Sequence, residues 1–143
     1  MPWEYVEDGV TSDVTFRAWG RSLDELFGAA ADATTSLMVD PVETVAPARA
    51  LPVALEDTAL DLLLARFLDE LIYQKDAAGL LLRATDVHVE HGAGASRVRA
   101  VLRGEPLDPA RHALAADPKG VTLHGLTVAP TPDGWRAEVT IDV

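Results

Sequence analysis

The sequence predicts an α+β fold, a mainly antiparallel sheet with two helices packed on one face. Three observations carry this. Two stretches repeat apolar residues at helical spacing. Several others alternate apolar and polar residues in the manner of half-buried strands. Their order is strand, helix, irregular strand, helix, then several strands. At 143 residues the chain reads as one domain spanning 1–143, long enough to bury a core without staples.

The elements follow in order. Val14 to Trp19 reads as a strand with Val14, Phe16 and Ala18 on one face. Gly20 ends it. Ser22-Leu23-Asp24-Glu25 is a capping-box pattern. The helix it opens places Leu23, Leu26, Phe27, Ala30, Thr34, Leu37 and Met38 on one stripe. Asp40-Pro41 stops it, because proline disfavours helix in the residue before it. Pro41 to Pro52 reads as a loop or as an edge strand that tolerates proline. A second helix begins at Asp57 or Thr58, carries Leu60, Leu63, Leu64, Phe67, Leu68, Leu71 and Ile72, and fades at Gln74 to Gly79. The rest reads as β. Leu80 to Glu90 leads into a turn at Gly92 to Gly94. Ser96 to Arg103 alternates Val98, Ala100 and Leu102 against Arg97, Arg99 and Arg103. A polar excursion follows from Gly104 to Pro118, then a strand from Val121 to Val128. Pro130 to Gly134 is a hairpin turn. The last strand turns Trp135, Ala137, Val139 and Ile141 inward.

Composition narrows the function. With no cysteine, disulfides, thiolate nucleophiles and Cys-based metal centres are excluded, and a reducing cytoplasm fits. No signal peptide or membrane-spanning run is visible. A net charge of −11 argues against gripping a nucleic-acid backbone, which takes Lys and Arg. It serves solubility, the commoner reason for such a charge, or suits cations or a basic protein partner. Phosphate loops, nucleophile elbows and zinc-protease motifs are absent. The histidines, His88, His91, His112 and His124, include no i, i+4 pair of the kind that holds zinc on a helix.

Two aspartates remain. Asp13 lies just before the first apolar strand, and Asp142 lies on the polar face of the last one. They meet only if those strands are neighbours. Side by side, with Val143 at the end of the sequence, they would make an oxygen-only site for a hard divalent cation, Ca²⁺ or Mg²⁺/Mn²⁺. Taken singly, each reads as an ordinary turn or strand-end charge. Lys119 reads as a solvated loop lysine or as a point charge offered to a phosphate or carboxylate. His112 and His124 read as partly buried histidines satisfied by the backbone, or as residues for binding and activating a partner.

At this point the sequence resembles the archease family. The family's His-Thr-Ala-Asp-Val signature stands here as Val10-Thr11-Ser12-Asp13-Val14. Arg17-Ala18-Trp19-Gly20 and Ser22-Leu23-Asp24-Glu25-Leu26-Phe27 follow. Phe67-Leu68-Asp69-Glu70-Leu71-Ile72-Tyr73 is similar to the family's second helix. Gly104-Glu105, Asp108, His112 and the run from Lys119 to Val128 are similar to its later motifs. Trp135-Arg136-Ala137 and Ile141-Asp142-Val143 close the match. The resemblance implies a non-enzymatic accessory factor of an RtcB-type RNA ligase in tRNA splicing or RNA repair. It would promote ligase guanylylation and repeated turnover, and would meet RNA only through the ligase. It implies metal binding by Asp13, Asp142 and an oxygen of Val143, and activation through Lys119. Val10 replaces the family's leading histidine, and Gly120 its usual alanine. The competing expectations are a chaperone-like or scaffold module without a metal role and, more remotely, a small metal-dependent hydrolase.

Overall fold

Among the described residues of the computed structural model, 1–6 and 13–143, seven strands and two α-helices follow one another along the chain. They are β1 (Trp3–Val6), β2 (Asp13–Gly20), α1 (Leu23–Met38), β3 (Arg49–Asp57), α2 (Leu60–Ala78), β4 (Leu80–Gly92), β5 (Ala95–Pro106), β6 (Gly120–Thr131) and β7 (Gly134–Asp142). All strand pairs are antiparallel. The strands divide into two sheets, ordered β1-β2-β7-β6 and β3-β5-β4. Both helices touch both sheets, and the solvent-facing strand residues lie on the opposite faces.

The local reasons are those the sequence offers, with shifts at the ends. At the start of α1, the Ser22 hydroxyl accepts the Glu25 N–H at 3.2 Å. The Glu25 carboxylate reaches back one residue further than a standard capping box, to the Arg21 N–H at 2.7 Å. The 41–52 stretch does both things expected of it. Val42–Thr44 makes a 3₁₀ turn, and from Arg49 the chain is an edge strand that holds Pro52 opposite Val101. α2 starts at Leu60 rather than at Asp57. Asp57 still pairs with Ser96 in the sheet, and its carboxylate takes the Thr58 N–H at 2.7 Å. The helix continues past Gln74 to Ala78. There Gly79, at φ 65° and ψ 30°, turns the chain in the left-handed conformation that suits glycine.

One cluster of buried side chains joins the two sheets to the helices. It includes Phe16 and Ala18 of β2, Phe27 of α1, Phe67 and Leu68 of α2, Leu82 and Leu102 of the second sheet, and Val139 and Ile141 of β7. Phe27 and Phe67 meet with ring centroids 5.7 Å apart. Each such large apolar side chain contributes about 1.5–3 kcal/mol by leaving water. Gly104 is fixed by packing, because a Cβ there would lie 1.7 Å from the Leu81 carbonyl oxygen. The core positions the Asp142 end of the sheet through β7. Its inward residues Ala137, Val139 and Ile141 are fully buried, so Asp142 is held outward by alternation.

Candidate functional site

β2 and β7 are neighbours, and their register sets Asp13 opposite Asp142. The same face carries Thr15 opposite Thr140, with hydroxyls 2.7 Å apart, and Arg17 opposite Glu138, an ion pair at 2.9 Å. Those contacts fix the pair of aspartates on the outer face of the sheet. Directly opposed side chains have Cβ atoms about 4.5–5.5 Å apart. Asp142 is exposed and Asp13 half-buried. Val143 is half-buried and packs against the edge of the core. Val10, Thr11 and Ser12 lie outside the described residues.

On its other side, β7 pairs with β6 so that Gly120 stands opposite Asp142. The Lys119 N–H donates to the Asp142 carbonyl at 2.7 Å. Asp13, Asp142 and the Lys119–Gly120 step therefore form one row across three strands. Lys119 is exposed.

The connection that delivers Lys119 is held from several sides. The N–H groups of Ala115 and Ala116 donate to the Met38 and Leu37 carbonyls, at 2.9 and 2.8 Å. They thereby satisfy carbonyls at the end of α1. Lys75 of α2 pairs with Asp117, and its ammonium holds that carboxyl below the usual range. Asp69, two turns earlier, accepts the Val121 N–H at 2.9 Å. Partial burial against the strand edge raises the Asp69 carboxyl and outweighs that bond. Sequence reasoning missed Asp69, Lys75 and Asp117. Their only signal was the place of Asp69 inside the Phe67–Tyr73 run.

The two histidines go to different places. His112 is buried at 3% exposure. Its Nδ1 accepts the Asp108 N–H at 2.9 Å, and its Nε2 lies 3.1 Å from Glu105. Glu105 also takes the Ala46 N–H at 2.5 Å and pairs with Arg111. His112 thus anchors the β5–β6 connection and does not join the aspartate row. His124 is exposed on β6.

Two opposed carboxylates repel unless a cation lies between them. Their oxygens suit a hard divalent ion, with water and backbone oxygens completing the shell. Among the described residues, no group of three or more His, Asp or Glu side chains converges. A cavity of about 580 Å³ lies at the opposite end of the β2–β7 pair, between Trp19 and Trp135. Among the described residues, no helix is long and apolar enough to cross a membrane.

The Archease protein family (MTH1598/TM1083) matches over residues 3–143. The chain belongs to the archease family. It is 34% identical to the protein archease of Pyrococcus abyssi, over 99% of this chain and 98% of that one. It is 33% identical to the protein archease of Methanopyrus kandleri, over the whole of both. The fold agrees with the solution structure of Methanobacterium thermoautotrophicum protein 1598. There the TM-score is 0.83 and the identity 25%, over 99% of each chain. It also agrees with the crystal structure of an archease, possible chaperone, from Thermotoga maritima, at TM-score 0.61 and 12% identity over 98% of this chain and 99% of that one. The family-like motifs at Asp13, Lys119 and Asp142, widely separated in this archease-family chain, lie in one row.

Proposed function

We propose that the chain is an accessory factor, not an enzyme, that activates an RtcB-type RNA ligase in tRNA splicing or RNA repair. The observation that carries this reading is the row of Asp13, Asp142 and Gly120 at one end of the four-stranded sheet, with Lys119 bonded through its N–H to Asp142. Membership of the archease family supports it. Asp13 and Asp142, with an oxygen of Val143, would hold a divalent cation. A divalent ion held there would neutralise the two carboxylates and remove their repulsion. Lys119, exposed next to that row, then offers a positive charge to a phosphate or carboxylate of the partner. The ligase performs the chemistry, and this chain sets the geometry and electrostatics of the ligase's guanylylation centre. The net charge of −11 favours encounter with a protein that carries basic surface for RNA. The buried His112 holds the connection in place, while His124 belongs to the exposed edge.

The test is the rate of ligase–guanylate formation by the cognate ligase with and without this chain. Wild type is expected to accelerate it, and Asp13→Ala and Asp142→Ala to lose the acceleration while keeping the melting curve of a folded protein. A variant that accelerates as well as wild type would remove the aspartate pair from the site. The chaperone-like or scaffold reading draws on the aromatic-walled cavity between Trp19 and Trp135. It predicts that wild type and Asp142→Ala suppress aggregation of unrelated clients equally.

A further inference from the structure

β6 and β7 pair in register at both ends but not between. Gly120, Val121 and Thr122 stand opposite Asp142, Ile141 and Thr140, and pairing resumes with Thr127 opposite Glu138. Four residues, Leu123-His124-Gly125-Leu126, therefore stand against the single Val139. Gly125 is at φ 70°, which glycine adopts without steric cost. Bulges re-aim side chains. Alternation from the inward Val121 would turn Leu123 to the core, yet Leu123 is 64% exposed, with His124 exposed beside it. Among the described residues β6 is the edge strand of its sheet.

Tyr73 of α2 is 60% exposed. After Met1, Leu123 and Tyr73 are the most exposed large apolar side chains among the described residues. Both flank Lys119. Asp69, one helical turn before Tyr73, bonds Val121, which lies two residues before Leu123. Lys75, two residues after Tyr73, pairs with Asp117. Tyr73 is thus level with the Pro118–Lys119 step, and Leu123 lies just beyond Val121.

We propose that Tyr73 and the Leu123–His124 bulge are the docking anchors for a basic protein partner. The proposal rests on the ligase reading above, and it names the surface by which that partner is held. The occupant is a protein that presents apolar sockets within a positively charged rim. Three features of the surface call for that chemistry. Exposed Asp69 and Asp76 lie on α2 on either side of Tyr73, and exposed Asp117 is paired with the same helix. The whole chain carries −11. The anchors sit on β6, which follows Lys119 directly, and on α2, which holds the segment before it. Apolar anchors inside a charged rim are the usual layout of interface hot spots.

The experiment measures the affinity of the chain for the cognate ligase by calorimetry. It compares wild type, Leu123→Asp, Leu123→Ala, Tyr73→Ala and, as a control on the far sheet, Arg99→Ala, with thermal melts to verify folding. Leu123→Asp is expected to raise Kd at least about tenfold, Leu123→Ala and Tyr73→Ala about fivefold, and Arg99→Ala not at all. Should Leu123→Asp fail to fold, Leu123→Ala decides in its place. If wild type binds and the Leu123 and Tyr73 variants bind within about twofold of it, the docking proposal falls and the ligase reading stands. If wild type does not bind the ligase, the ligase reading falls and takes the proposal with it. If Leu123→Asp instead converts a dimer to a monomer in light scattering, the face joins two copies of this chain, and docking of the partner there is overturned.

Discussion

Asp13 and Asp142 face each other across one row of the β2–β7 ladder, and like charges so placed repel by about 0.2–1 kcal/mol. Without divalent cation, Asp142→Asn is therefore expected to raise the melting temperature by about 1–4 °C. With millimolar Ca²⁺, wild type is expected to gain stability by mass action and the variant not to. Thermal melts in Ca²⁺ and in EDTA check both, and an equal response of the two proteins to Ca²⁺ would remove the cation from the account. Glu105 titrates below its neighbour-free value. The Ala46 N–H bond first, then His112 and Arg111, lower its carboxyl from 4.5 to about 2. A lowered folded-state pKa gives stability that is present above the ordinary carboxylate range and is lost as pH falls toward the folded value. The stability difference between wild type and Glu105→Gln should hold steady above about pH 5 and shrink toward pH 2, read as urea midpoints. At this scale the sequence shows which residues matter better than why. Gly104-Glu105 drew attention only by resemblance, and its reasons are a carbonyl pressed against the glycine and three partners gathered on the glutamate. The bland reading of His112, a buried and satisfied histidine, matches where its ring lies.

The helix α2 does two jobs, one legible and one not. Its apolar stripe was plain from spacing, and Leu63, Leu64, Phe67 and Leu68 are fully buried. Its polar side, with Asp69 and Lys75, holds the segment from Asp117 to Val121 that carries Lys119. Spacing alone does not reveal this, because a polar residue on an exposed helix face looks the same whether it meets water or a loop. Lys75→Met is expected to speed amide exchange at Lys119 and Gly120 by an order of magnitude or more, with a smaller change in global stability. Unchanged exchange at those amides would show that the backbone bond to Asp142 suffices without the clamp. Two other elements escaped the sequence for physical reasons. β1 is only four residues long, and it takes its order from pairing with β2 rather than from its own pattern. The Leu123–Leu126 bulge reads as continuous strand, because the lone glycine within it resembles any glycine in a strand.

The whole molecule brings the two ends of the sequence together through the sheet order β1-β2-β7-β6. That juxtaposition was legible only as a condition: the aspartates meet if the outer strands are neighbours. The division of the strands into two sheets was not legible, because alternation reports a buried face without naming the strand alongside. The charge of −11 and the aspartate row belong to one account, in which an acidic end meets a basic partner. That account makes encounter salt-sensitive, since exposed charges are screened beyond about 8–10 Å at ordinary ionic strength. The most direct measurement is single- and multiple-turnover RNA ligation by the cognate RtcB-type ligase, with no addition, with wild type and with Asp142→Ala. The account predicts that wild type carries the ligase into multiple turnovers and that Asp142→Ala leaves it at the unassisted level. Ligation unaffected by wild type, or stimulated equally by the variant, would contradict it.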